Sequence, residues 1–190
     1  MAIAAVRAAA APDVPEIVRI QADTWATAYA ELVPPAAIEQ LRSSAAQDAW
    51  LAAVGSGAGH LIVATEGEWM VGFCAAAPAA APEGATAPDD PTLGPEAWGE
   101  IGVLLVEPRW GRRGHGGRLL AAAAEALRAA GALYGLAWVP EADQASRNFY
   151  ARSGWEPDGT VRAFDTGAGT LREVRITGSL DLKLDQPVDH

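Results

Sequence analysis

Residues 100–120 read EIGVLLVEPRWGRRGHGGRLL, and the succession of residue types along them decides the fold. Ile101 to Val106 is an apolar run rich in β-branched residues and leucine, as expected of a strand buried on both faces. Pro108 ends it. Gly111, Gly114, Gly116 and Gly117 allow the backbone to approach a ligand closely, with several N–H groups pointing outward. Leu119, Leu120, Ala123 and Leu127 then recur at helical spacing through an alanine-rich run that Gly131 is placed to stop. Strand, glycine loop and helix start together make a seat for an anion, because the first amides of a helix lack partners and its dipole favours negative charge.

Charge placement supports that reading. The chain is acidic, with a net charge of -10, yet from Glu107 to Arg118 it carries Arg109, Arg112, Arg113 and Arg118 against a single acid. A phosphate ligand is the natural complement. A Walker loop needs a Lys after its last glycine, and no Lys precedes Lys183. A dinucleotide fingerprint starting at Gly114 and Gly116 would need its third glycine at the position of Leu119. Both patterns fail.

The remaining pattern, Gly114-His115-Gly116 after two arginines and between a Val-Glu-Pro strand end and a Leu-Leu helix, resembles motif A of the GNAT N-acetyltransferases. The motif runs Gln/Arg-x-x-Gly-x-Gly/Ala, and Gly111 stands here at its Gln/Arg position. Asp143, Ser146 and Tyr150 fall on the family's Asn-x-x-Ala-x-x-x-Tyr segment, with Gly154-Trp155 matching its trailing Gly-Phe/Trp, and Trp25 and Tyr29 before Leu32-Val33-Pro34 resemble its first helix. The resemblance implies an acetyl-CoA-dependent N-acetyltransferase. It implies a mixed α/β (α+β) fold, with a six- to seven-stranded sheet flanked by about four helices. It also implies cofactor contacts from Leu104, Leu105 and Val106 in the strand, from Gly111, Arg112, Arg113, Gly114, His115, Gly116, Gly117 and Arg118 in the loop, and from Asp143 and Ser146.

At 190 residues the chain suits one domain with a single core, residues 1–190. No apolar stretch is long enough to span a membrane, and Arg7 interrupts the apolar N-terminus, which argues against a secretory signal. Cys74 is alone, so no disulfide or cysteine metal cluster forms within the chain, and a cytoplasmic location is expected. Scattered His60 and His115 have no ligand spacing, and no metal is expected. Between Arg42 and Arg109 there is no basic residue, while nine acids occur from Asp48 to Glu107. That stretch should repel nucleic acid and lipid surfaces and attract a cationic amine.

Hydrophobic periodicity predicts a strand over Ile3 to Ala9 and helices over Val14 to Leu32 and Ala36 to Val54. A hairpin of His60 to Glu66 and Trp69 to Ala77 follows, then an Ala/Pro-rich mobile loop at 78–97. Trp98 to Val106, helix Gly116 to Ala130 and Leu133 to Val139 make a strand-helix-strand unit, expected to be parallel. A short helix from Asp143 to Ser153 and strands Thr160 to Phe164 and Leu171 to Leu180 complete the order.

Acyl transfer to an amine needs a base, an oxyanion donor and an acid for the leaving thiolate. The resemblance implies Glu100, opening the strand where several subfamilies place a carboxylate base, as the candidate base, and Tyr150, by its register, as the candidate acid. A backbone amide in Leu104 to Val106 is implied as oxyanion donor, and Trp25, Tyr29, Trp98 and Trp138 are candidate walls for the acceptor. The function expected is direct acetyl transfer to a small cationic amine in a ternary complex, by a chain that pairs as a homodimer. A peptide N-terminal acetyltransferase and a non-catalytic acyl-CoA sensor are the alternatives.

Overall fold

The computed structural model describes residues 3–79, 84, 87 and 94–182. Along them run β1 (Ala4–Ala8), α1 (Val14–Ala28), α2 (Pro35–Leu41), α3 (Ser44–Ser56), β2 (His60–Glu66), β3 (Trp69–Pro78), β4 (Trp98–Val106), α4 (His115–Ala129), β5 (Tyr134–Pro140), α5 (Gln144–Arg152), β6 (Glu156–Asp165) and β7 (Thr170–Ser179). The strands form one sheet in the order β1-β2-β3-β4-β5-β7-β6. Only β4 and β5 pair in parallel, joined through α4, and the other neighbours are antiparallel.

Each face of the sheet has its own cover. On one side Leu119, Leu120, Ala123 and Leu127 of α4 pack on Ile62, Cys74, Ile101 and Ile176. Those helix residues are the apolar stripe read from the sequence. On the other side Ile17 and Ile20 of α1, with Trp50 of α3, pack on Val63, Phe73 and Leu105. Burial of each such side chain contributes about 1.5–3 kcal/mol before entropy is charged against it.

Three boundaries differ from expectation by more than one residue. The first helix stops at Ala28 rather than Leu32, since Tyr29 (φ -127°, ψ 19°) leaves helical geometry. The helix predicted over Ala36 to Val54 is two helices, so five flank the sheet rather than four. Ser43 sits between them in an extended conformation (φ -67°, ψ 160°), and its Oγ accepts from the Ala46 amide at 3.2 Å, a cap that restarts the helix. The sixth strand starts at Glu156 instead of Thr160, because an irregularity between Pro157 and Val161 lets the chain pair on both sides of it. The mobile loop expected at 78–97 falls mostly outside the described residues. Of its described part, Pro78 ends β3, Ala87 is buried beside Trp98 and Tyr134, and Pro95–Ala97 form a 3-10 turn.

Glu107, just past β4, fastens the strand end to α1 by accepting from Arg19 at 2.7 Å and from Arg109 at 2.9 Å. Burial alone would raise the pKa of its carboxyl, but the two arginines outweigh burial and hold it below the usual 4.5. A depressed carboxyl adds stability above the unfolded-state pKa and loses it as pH falls through the folded one. Glu107→Gln should therefore lower stability near pH 7 by about 1 kcal/mol, with the difference from wild type vanishing in strong acid, as read by denaturant melts across pH.

Candidate active site

β4 and β5 are paired only from Trp98–Tyr134 to Ile101–Ala137, although β4 runs on to Val106 and β5 to Pro140. Beyond that point the strands part, and the edge of β4 facing β5 has no ladder partner. Gly102 sits at the opening as an extra residue, since Ala76 and Ala75 pair with Ile101 and Val103 respectively.

On the α4 face the opening leads to a cleft of about 680 Å³. Leu104 and Val106 form its floor, Trp110 to Arg112 with Gly114 to Gly117 one wall, and Ser146, Phe149, Tyr150 and Arg152 of α5 the other. Of the residues predicted to meet a ligand, Leu104, Val106, Gly111, Arg112, Gly114, His115, Gly116, Gly117, Ser146 and Tyr150 are brought together here. Leu105 is not, because it points to the opposite face against the Phe73 cluster. Gly114 precedes α4 with φ +81°, where a glycine is needed, and the first bond from the helix back to it runs from the Arg118 amide at 3.1 Å. The amides between them have no intrahelical carbonyl to bind. Gly116 is needed for a different reason: a Cβ there would lie 3.2 Å from the Phe149 ring, the contact by which α5 closes on the loop.

The arginines of this loop do not act alike. Arg113 donates to Glu66 Oε1 at 2.9 Å and lies over the Trp110 ring at 4.8 Å. Arg118 donates to the Arg113 carbonyl at 3.0 Å, bracing the turn from within. Arg112 holds a left-handed backbone (φ 62°), a conformation that costs a non-glycine residue about 1 kcal/mol. Among the described residues neither Arg112 nor Arg152 forms an ion pair, so both cations at the cleft are available to a ligand.

Glu66, with its bond to His115, is the part of the site that local sequence reading missed. The His115 ring is 1% exposed, its Nε2 is 2.8 Å from Glu66 Oε2, and its Nδ1 is buried without a partner, as is Trp110 Nε1. Glu66 thus ties the end of β2 to both Arg113 and His115. Hydrogen bonding from His115 and the charge of Arg113 hold its carboxyl below its ordinary pKa.

Asp143 caps α5: its carboxylate accepts from the Ser146 amide at 2.9 Å, from Ser146 Oγ at 2.8 Å and from the Tyr29 hydroxyl at 2.8 Å. It lies beside a smaller hollow with Tyr29 and Leu32, outside the main cleft. Burial, then the Asp143 carboxylate, raise the pKa of Tyr29. Two helical turns further along, Tyr150 is buried at the cleft and stacks on Trp155 with ring centroids 5.4 Å apart and planes at 25°. Burial, and next to it the nearby Cys74, raise the pKa of the Tyr150 hydroxyl above its ordinary 10.0, and burial pushes the Cys74 thiol up to about 12.

Glu100 lies on the other face. It pairs with Ala77 and Leu136 in the sheet and is half-buried at the start of the opening, beside Gly102. The aromatic residues expected to wall an acceptor site sit elsewhere. Trp98 is core, packed on Tyr134; Trp138 lies under the Arg162 guanidinium at 4.2 Å; Trp25 packs edge-on to Tyr29. Among the described residues no group of three or more His, Cys, Asp or Glu could hold a metal ion, and no helix is long and apolar enough to cross a membrane.

The acetyltransferase (GNAT) family matches the sequence over residues 17–155, and the chain belongs to that family. No curated protein matches the sequence significantly. Among solved structures, PaiA N-acetyltransferase from Thermoplasma acidophilum, in complex with coenzyme A, is 18% identical with a TM-score of 0.69, over 90% of this chain and 98% of its own. A ribosomal-protein-alanine N-acetyltransferase from Brucella melitensis is 19% identical with a TM-score of 0.72, over 92% and 99%. YncA from Salmonella typhimurium, with its cofactor acetyl-CoA, is 15% identical with a TM-score of 0.70, over 98% and 99%. These likenesses are of fold.

Tyr150 keeps its place because Trp155 keeps its own. The indole lies on two facing glycines, so that a Cβ on Gly178 or on Gly135 would come within 2.2 Å of its ring, and its Nε1 donates to the Ser179 carbonyl at 3.0 Å. Gly178→Ala should cost about 1–3 kcal/mol in chemical denaturation and alter the near-ultraviolet circular dichroism of the Trp155–Tyr150 stack.

Proposed function

We propose that this chain transfers the acetyl group of acetyl-CoA directly to the primary amine of a small cationic acceptor, with both substrates bound together. The observation that carries the reading is the parting of β4 and β5. It puts the glycine cleft on one face and Glu100 on the other, at the two sides of one gap.

The residues present fit acetyl-CoA. Amides at the start of α4, Arg112 and the opposed wall of α5 offer donors and positive charge to a pyrophosphate, as the open glycine backbone there requires. Arg113 and Arg118 hold the loop in shape; Ser146 lies on the α5 wall; Asp143 orients that helix by its cap. When bound, the thioester supplies an activated carbonyl. An amide on the unpaired edge of β4, in the stretch Leu104 to Val106, donates to the carbonyl oxygen as it gains charge. Glu100 accepts the proton that the amine must lose to attack the carbonyl carbon. The carbon–sulfur bond then breaks, and Tyr150, which burial keeps protonated, gives its proton to the departing thiolate.

Glu100→Gln and Tyr150→Phe should each lower kcat by about 10²-fold or more while the Kd for acetyl-CoA stays put; near-normal turnover in both would remove these assignments. Since the Tyr150 pKa is raised, wild-type kcat should show no alkaline fall below pH 10.0, in a thiol-release profile. At the loop, Arg112→Ala and Glu66→Ala should each weaken acetyl-CoA binding about tenfold in calorimetry, the first by removing a contact and the second by freeing His115 and Arg113. An unchanged Kd in Arg112→Ala would mean that the amides suffice.

A further inference from the structure

Opposite the glycine cleft, on the α3 side of the sheet, lies a pocket of about 320 Å³, at the small end for ligand sites. Its walls are mostly apolar, with Trp50, Ala53, Leu61, Ala75, Ala77 and Pro78. Trp50 is a fixed wall, edge-on to Phe73 at 5.4 Å, with its Nε1 donating to Gln21 Oε1 at 3.0 Å. Ala75 pairs with Leu61 and Val103, and Ala77 with Glu100, so the small side chains of β3 make the space. Gly102 borders it too, which places its inner end at the parting of β4 and β5. Among the described residues of its lining Glu100 is the one acid, His60 is the other ionisable residue, and Ser56 brings a hydroxyl.

We infer that this pocket holds the body of the acceptor, and that the acceptor is a monoamine on a compact apolar frame, of the arylalkyl or branched-alkyl class. The inference rests on the acetyl-transfer reading and narrows it. One carboxylate beside the gap matches one ammonium. A second cation of a polyamine, or the run of amide groups of a peptide, would meet mainly alanine, leucine and tryptophan, with Ser56 and His60 too few to satisfy them, at a cost the apolar frame avoids.

The test is a thiol-release assay at saturating acetyl-CoA with 2-phenylethylamine, isopentylamine, putrescine, spermidine and an alanine-initiated tripeptide. The two apolar monoamines should exceed the others in kcat/KM by about tenfold or more. Ala75→Leu, which fills the pocket, should raise the KM for 2-phenylethylamine about tenfold with the KM for acetyl-CoA unchanged, and Ala77→Leu should do so independently, which guards against a local folding defect in either. A preference for the polyamine or the peptide, or an unaltered amine KM in both variants, overturns the proposal. If acetyl-CoA binds but no amine releases thiol, acetyl transfer itself fails as a reading. Calorimetry with 2-phenylethylamine then decides the pocket: binding lost in Ala75→Leu supports it, and absence of binding to wild type overturns it.

Discussion

A parallel pair of strands that stays together for only four residue pairs governs this molecule. Had β4 and β5 remained paired to their ends, the edge amides of Leu104 to Val106 would be consumed by the ladder and the two faces sealed from each other. The partition is kept by what lies beyond it. After Ile101 the outer half of β4 is bonded only to β3, while β5 is bonded along its whole length to β7. Each strand therefore leaves the junction with its own firm partner, and Glu107 pins the far end of β4 to α1 through Arg19. The gap is a built feature of the sheet.

Around the gap the structure uses small residues to admit large ones. Facing glycines on β5 and β7 make a flat bed for Trp155, and Trp155 in turn is the surface on which Tyr150 stacks. Gly116 lets Phe149 close against the loop from the other wall. The same α5 is capped by Asp143, whose bond to Tyr29 joins it to the chain leaving α1. A tyrosine held at the cleft by a stack of rings on glycine backbone has few rotamers to lose, which is the preorganisation that the proposed proton transfer needs.

What could be read from the sequence was what is local in it. Strand, glycine loop and helix stand in one run of residues, and the arginines there reverse the charge of an acidic chain, so the glycine-lined cleft and the order of elements were legible. The spacing of Asp143, Ser146 and Tyr150 put them on one short helix, and the structure places the last two in the cleft. Contacts between distant residues were not legible. Glu66 and His115 are 49 residues apart, and nothing local distinguishes Glu66 from the other acids of its stretch. Trp98 and Trp138 carry no mark of their surroundings: one is core beside Tyr134, the other lies under an arginine of β6. Trp50 lies in the helix expected over Ala36 to Val54, and nothing local to it marks that it borders the second pocket.

Gly102 explains how one strand serves both faces. In an unbroken strand Ile101, Val103 and Leu105 would share a side. The extra residue after Ile101 shifts the alternation, so Ile101, Leu104 and Val106 point to α4 while Val103 and Leu105 point to α1. Leu104 and Val106 thereby floor the cleft beside the glycine loop, and Glu100, just before the shift, keeps its carboxylate on the other side. Without the bulge Val103 and Leu105 would take the floor, and the side chains of the loop's own strand would change faces. A single glycine at the point where the strands part thus sets which residues of β4 line the cleft and which face α1, and it does so through register, an effect that no side chain at that position could announce.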